Sequence, residues 1–438
     1  MSISGYVLRN FMNRKKIYKN EKKVTNRSKF ENFLNNLSIL RPDLSINFIK
    51  EILLNQHLYL DLNKDVKESK TCPIYHYYTF GYKEGRTFCS PNFRSLKKQS
   101  LQTGTKKVVF GDIPKNNASF LYRGYFAEIR NQDKNIIHNE TELMKAITLI
   151  FSANEIVFIR PTIKSFKTKY FINLAKILNI KISMNFDDLL LPEFVLSKGA
   201  SRSQVIDISL VKNNLIEDSA ILLNADKFIL STKELAKRFS DFNNNISVEN
   251  NRLPIEYFLT EDEIYKRNNK KENNKIHLLY LSGSKTHLKD YSIISGCLIK
   301  LAMEYPENFC IKFMGTLIDQ TSIFSNLGVE TKFIPFVSFE EMINEMGRND
   351  LVLVPLEKTI FNNAKSNIKF IEAASQGVPV IASSVDEYNA AIVSGVNGWL
   401  CKDEFEWYDT LKSIILKEKN IQAVGLAAYN TAVRSYSI

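Results

Sequence analysis

From residue 107 onward, short apolar runs alternate with longer stretches of helical pattern, and that alternation leaves few folds open. KVVFGD begins at Lys107, EIVFIR spans 155–160, KISMNFDDL spans 181–189 and DKFILST spans 226–232. IHLLYL (276–281), FCIKFMG (309–315), KFIPFV (332–337), DLVLVPL (350–356) and the run around Val378, Val380 and Ile381 continue the series. Runs that are apolar at consecutive positions suit strands buried on both faces. The segments 165–178, 209–224 and 404–418 between them read as helices. The pattern predicts two doubly wound α/β halves with parallel sheets, where ligands bind at the carboxyl ends of strands. The polar stretch TEDEIYKRNNKKENNK (260–275) reads as the solvated connector between them.

Within the second half, FNNAKSNIKFIEAASQGVPVIASS (361–384) carries the most chemistry. It reads as a loop, a helix of about four turns, a glycine stop at Gly377 and a buried strand after Pro379. Asn362 or Asn363 is placed to cap the helix. Lys365, Lys369 and Glu372, four and three apart, then share one face. A helix start favours acids, yet this one has none and presents Lys365. An anion at the free N–H groups would resolve the conflict; an ordinary solvated ion-pair surface fits the same spacing. A second corner lies at 276–291, where a strand meets Ser282, Gly283 and Ser284, followed by Lys285 and Lys289, with His287 a lesser candidate. Small residues let backbone N–H groups approach a phosphate, although most such turns bind nothing. The signal is the combination of the two corners.

The 361–384 run resembles the donor-binding segment of glycosyltransferase family 4, whose members have the GT-B fold of two Rossmann-like domains facing across a cleft. A bacterial subgroup carries FN-x-x-KS-x-x-K-x-x-E, matched by Phe361, Asn362, Lys365, Ser366, Lys369 and Glu372. Most members have a further Glu eight positions before the last, where this chain has Ala364. The resemblance implies a helix that begins at nucleotide-sugar phosphates, with Glu372 on the ribose. Lys285 and Lys369, with Lys365 and the backbone at Ser366, would then stabilise the departing diphosphate. Gly283, Ser284, Lys289 and Asn363 fall on the donor side, and Phe336 lies where relatives contact the base. The Tyr122–Arg123 pair, Arg160 and the acids Asp187 and Asp188 are similar to acceptor-domain positions. Read from the residues alone, those acids serve equally as turn caps and the arginines as their partners. No His or third acid joins them locally, so no metal is expected, nor any other cofactor.

A net charge of +12 predicts attraction to anions. The basic residues spread through linkers without a recognisable motif, so nucleic acid is not an expected partner. Five scattered cysteines without a CxxC pair fit reduced thiols in a cytoplasm. No run approaches the roughly 18–20 apolar residues that cross a bilayer, and the N-terminus lacks a signal-peptide core. Residues 1–40 read as a basic flexible arm and as the candidate contact with an anionic membrane surface. Residues 41–95 read as a helical module in which Pro73 opens and Gly81 stops an aromatic helix. Its stretch 59–93 is similar to a small module attached to bacterial polysaccharide-synthesis glycosyltransferases, a docking piece rather than a catalytic one. The expected organisation is an acceptor domain at 106–258, a linker at 259–275, a nucleotide-sugar domain at 276–420, and a tail at 421–438 packing back on the acceptor domain. The expected activity is metal-free, retaining transfer from a nucleotide-diphosphate sugar to a glycan or lipid-linked glycan of a bacterial surface polysaccharide, in the cytoplasm or on the inner membrane face. Ala364 and the lack of an evident general base motivate the alternative, a catalytically inactive GT-B protein that binds a glycan or a partner enzyme.

Overall fold

The computed structural model describes residues 26–93, 106–129, 135–198, 207–269, 275–283 and 288–438. The polar segment 96–105 and most of the arm lie outside them. Two six-stranded sheets form the frame. The first comprises β1 (Lys107–Phe110), β2 (Ile136–Ile137), β3 (Glu155–Ile159), β4 (Lys181–Phe186), β5 (Lys227–Leu230) and β6 (Ile246–Val248), in the order β2-β1-β3-β4-β5-β6. The second comprises β7 (Ile276–Ser282), β8 (Phe309–Gly315), β9 (Glu330–Ile334), β10 (Leu351–Val354), β11 (Val380–Ser383) and β12 (Trp399–Cys401), in the order β12-β11-β10-β7-β8-β9. Pairing is parallel throughout the second sheet, with Leu278 opposite Ile311 and Leu351, for example.

The second sheet shows why consecutive apolar residues are needed. Leu278, Tyr280, Ile311, Phe313, Leu351 and Leu353 pack into one layer with Ile294, Leu298 and Trp407. Their neighbours Leu279, Leu281, Val352, Val354 and Val380 pack into the opposite layer with Phe370, Ile371 and Ala374. Successive side chains point to opposite faces, so both must be apolar when helices cover both. β9, at an edge, is correspondingly less buried and ends at Ile334, so the expected strand over 332–337 stops three residues early.

The chain divides into two compact units. The first runs to Pro114 and includes Asn135–Ser183. Residues 26–40, expected as part of a flexible arm, are helical, with Phe30, Phe33, Leu34 and Leu37 buried. Phe30 meets Tyr75 and Phe33 meets Tyr78, so this helix completes the aromatic core of the module. Helix Pro73–His76 runs into a wider turn, Tyr77–Gly81, as Pro73 and Gly81 imply. His76 accepts or donates to the Tyr59 hydroxyl at 3.0 Å, a packing role. The Tyr78 and Tyr170 hydroxyls reach the Leu53 and Ile52 carbonyls, tying the module to helix Phe166–Ile177.

The second unit contains Lys115–Lys134 and Met184–Ile438. Its connector is not simply solvated: Glu261–Asn269 is a helix that buries Ile264 against Gly377. The C-terminal residues return to 253–255: the Leu253 N–H donates to the Tyr436 carbonyl, the Ile438 N–H to the Leu253 carbonyl and the Ile255 N–H to the Ile438 carbonyl. Gly315 lies at the end of β8 with φ +109, where a Cβ would sit 1.9 Å from the Ser282 carbonyl oxygen. Gly315→Ala is therefore expected to cost more than about 2 kcal/mol. Gly395→Ala, at φ +80 in open space, is expected to cost about 1 kcal/mol. Equal shifts in denaturant midpoint for the two variants would contradict this packing of β7 on β8.

Candidate functional site

The 361–384 run folds differently from the single helix expected. Thr359 caps a short helix, Ile360–Asn363, the chain turns through Ala364–Asn367, and a second helix runs Ile368–Ser375. Neither Asn362 nor Asn363 caps the second helix; Asn367 occupies that position without a side-chain cap bond. The cause lies in tertiary partners. The Asn362 amide donates to Asp290 and to the Glu357 carbonyl, and the Ala364 carbonyl accepts from the Thr232 hydroxyl at 3.0 Å. The far end is as expected: Gly377 adopts φ +64, and Arg267 donates to the Gln376 carbonyl at 2.5 Å. Val380–Ser383 follows as a fully buried strand.

This break separates the lysines. Lys365 sits in the turn, off the helix, with its ammonium 3.9 Å from Asp290 Oδ2 and 5.4 Å from the Phe361 ring centre. Asp290 is buried in the first turn of helix Leu288–Glu304, and its Oδ1 accepts from the Glu357 N–H and the Asn362 amide, each at 2.9 Å. Asp290 thus joins the two β/α corners, a residue the sequence reading passed over. Lys369 lies in the first turn of Ile368–Ser375, partly buried. Burial lowers its pKa, Lys365 lowers it further, and Glu372 opposes both. Gly283 is exposed just past β7, and Lys289 is exposed in the next helix. Ser284, Lys285 and His287 lie outside the described residues.

Glu372 is buried, and its Oε1 accepts the Tyr122 hydroxyl at 2.8 Å. Burial raises its pKa, against the pull of Lys369 and Tyr122. Tyr122 arrives on the wide turn Leu121–Tyr125 and is fixed edge-on to Phe126 and Phe339. The adjacent Arg123 donates from Nε to Asn185 and from Nη1 to the Glu249 carbonyl and Asn251. Asn251 in turn donates to Ser366 Oγ at 2.8 Å. A continuous chain of bonds therefore runs from Arg123 to the turn before the helix. Asn185, inside β4, and Asn251 gave no signal in the sequence, whereas Thr232 reads there as the cap of the helix after β5, which it is, but not as a partner of Ala364.

The other candidates are less gathered. Asn363 is partly buried at the end of the short helix, and Phe336 is largely exposed beyond β9. Asp187 and Asp188 follow β4, half-buried. Arg160 belongs to the first compact unit, where it follows β3 with φ +44. Among the described residues, no three His, Cys, Asp or Glu side chains cluster so as to hold a metal ion.

Two substitutions test the arrangement. Tyr122→Phe leaves a buried carboxylate oxygen without its donor and is expected to destabilise by about 1–3 kcal/mol. Glu372→Gln probes linkage. With a folded pKa above the ordinary carboxyl value, ionisation costs stability as pH rises from that value through the folded one. Wild type should therefore lose stability relative to Glu372→Gln as pH rises above the ordinary carboxyl range, measured by urea unfolding. A difference that stays constant with pH would contradict the burial of this carboxyl.

Residues 309–416 match the family described as Glycosyl transferases group 1. No curated protein matches the chain by sequence. Among solved structures, the fold is similar to sucrose-phosphate synthase from Thermosynechococcus elongatus (12% identity, 76% of this chain, 95% of that one, TM-score 0.54). It is similar also to a glycosyltransferase from Rickettsia africae (14%, 76% and 95%, TM-score 0.51). HepE of Anabaena, solved with UDP-glucose, gives 16%, 76% and 95% with TM-score 0.50. At these identities the likeness concerns the fold, two Rossmann-like halves of GT-B type. Residues 309–416 therefore match a group 1 glycosyltransferase domain, on a fold of the GT-B type.

Proposed function

We propose that the protein transfers a glycosyl group from a nucleotide-diphosphate sugar to a hydroxyl of a glycan or lipid-linked glycan. The observation that carries this reading is the start of helix Ile368–Ser375. Its first turn has no acid, and Lys369 stands there partly buried, its ammonium without a hydrogen bond or ion pair to any described residue. A partly desolvated ammonium at a helix start is compensated by an anion, and a diphosphate supplies the charge. In this reading Lys369 and Lys365, with Lys285, take up the charge that grows on the diphosphate as the anomeric carbon–oxygen bond breaks. The acceptor oxygen replaces it, and the hydroxyl proton leaves with the diphosphate. Glu372 turns from Tyr122 to the ribose hydroxyls. Ser366 and Asn363 border the phosphates, Gly283, Ser284 and Lys289 complete the donor corner, and Phe336 lies toward the base.

The acceptor side is assigned to the Arg123 end of the bond chain, with Asp187, Asp188 and Arg160 as further acceptor-side residues. Retention of configuration and catalysis without a metal follow from the family resemblance. A surface polysaccharide is the product class suggested by the N-terminal module. The complex of HepE with UDP-glucose supports a UDP-sugar as the first donor to try. No helix of the described residues is long and apolar enough to cross a membrane. Contact with an anionic membrane face is thus proposed as peripheral.

Incubation with UDP-, GDP- and CMP-activated sugars and an acceptor extract, reading nucleotide release, tests the proposal. Lys369→Ala is expected to lower kcat about 10²–10³-fold with the fold intact by thermal melting. Turnover unaffected by that change, or none with any donor, would overturn the assignment. A second expectation concerns pH. An anion favours protonated Lys369, whose free-state pKa lies below the ordinary lysine value of 10.5. UDP affinity should therefore fall as pH rises through that lowered pKa, and Lys369→Met should abolish this step.

A further inference from the structure

Arg123 is 4% exposed, yet among the described residues it has no ion-pair partner. Its contacts are to neutral oxygens: Asn185 Oδ1 at 2.7 Å, the Glu249 carbonyl at 2.6 Å and Asn251 Oδ1 at 3.0 Å. Those bonds use Nε and Nη1; Nη2 has no hydrogen-bond partner among the described residues. A buried guanidinium held only by neutral acceptors remains an uncompensated charge, and uncompensated buried charges are costly. Burial accordingly lowers its pKa, with Asp187 and Glu249 exerting only a longer-range pull the other way.

The same guanidinium lines a cavity of about 320 Å³, shared with Tyr122, Asn185, Asn250 and Arg252. Glu249 also borders it, but its carboxylate accepts from Ser247 Oγ at 3.1 Å. Arg252 is exposed and so adds a second cation at the rim without being fixed in the core. The lining therefore offers one preorganised guanidinium, one exposed one, and the Asn185 amide; the Asn250 amide nitrogen is already engaged with the Ser231 carbonyl and Glu387. Planar guanidinium groups suit oxyanions, which they bind through paired N–H donors. Through Asn251 and Ser366 the cavity also connects to the turn before helix Ile368–Ser375.

We propose that this cavity is a subsite for an oxyanion, a carboxylate or a phosphate, carried by the acceptor. The inference rests on the transfer reading only in calling the occupant part of an acceptor; the anion site itself stands on the cavity. The ligand classes it admits are a uronic-acid residue and a phosphorylated sugar or lipid-linked phosphate. A neutral glycan would leave Arg123 as it stands, with only the longer-range pull of Asp187 and Glu249.

The test is binding of glucuronate, inorganic phosphate and neutral glucose to the full chain, followed by calorimetry and thermal shift. It is run in the Lys369→Ala background, so that the helix start does not account for anion uptake. Saturable binding of glucuronate or phosphate, with none of glucose, is expected, and which anion binds more tightly distinguishes carboxylate from phosphate. Arg252→Ala, at an exposed position, should weaken that binding at least fivefold, and Arg123→Lys, which keeps the charge but loses the fork, at least tenfold. Arg123→Gln should match wild type in melting temperature without anion more closely than with it. Failure of both anions to bind, or equal binding by all variants, overturns the subsite whatever the donor assays show. Anion binding as expected, with no donor turnover, leaves the subsite standing and removes the transfer reading instead.

Discussion

A buried carboxylate with one cation and one hydroxyl for company decides how the central helix is held. Glu372 lies a turn beyond Lys369 and accepts from Tyr122, 250 residues earlier in the chain. Neither charge is well placed alone: burial raises the acid's pKa and lowers the lysine's. Each opposes the other's shift, which keeps both ionised forms tolerable in a partly dry setting. Fixing the acid also fixes the segment that brings Arg123, because Tyr122 and Arg123 are neighbours on the same turn. The two ends of the proposed reaction thus share one short piece of backbone.

Around this pair, polar bonds replace a simple loop. Asp290 gathers Glu357, Asn362 and Lys365 from the second corner onto the helix that follows the first. Thr232 holds Ala364, and Asn251 holds Ser366. The turn 364–367 is thereby pinned from several sides, so Lys369 enters the helix at a defined angle. Preorganised cations cost no rearrangement when charge develops, which is the advantage such a design offers for a departing diphosphate.

Much of the frame was legible in the sequence because doubly covered strands must be apolar at every position. Leu278 to Leu281 and Leu351 to Val354 announce themselves in this way. The site was only partly legible. That Lys369 and Glu372 share one helix face follows from spacing, their proposed roles only from the family resemblance, and Gly377 follows from its place at a helix stop. The break before Asn367 was not visible, since it depends on Asp290 taking the Asn362 amide and Thr232 taking the Ala364 carbonyl, 72 and 132 residues away. Residues 26–40 misled for a related reason: Phe30, Phe33 and Leu37 have helical spacing, but the aromatic partners of Phe30 and Phe33 are Tyr75 and Tyr78, far along the chain in a module whose packing supplies the stability a short helix lacks. The connector likewise holds one decisive apolar side chain, Ile264, among polar ones.

The measurement that bears most directly on the central claim is a crystal structure with UDP bound. The account predicts diphosphate oxygens within hydrogen-bond reach of Lys369 Nζ and the backbone N–H groups at the start of Ile368–Ser375, with Glu372 turned to the ribose. A diphosphate seated elsewhere, with Lys369 untouched and the Tyr122–Glu372 bond unchanged, would contradict it.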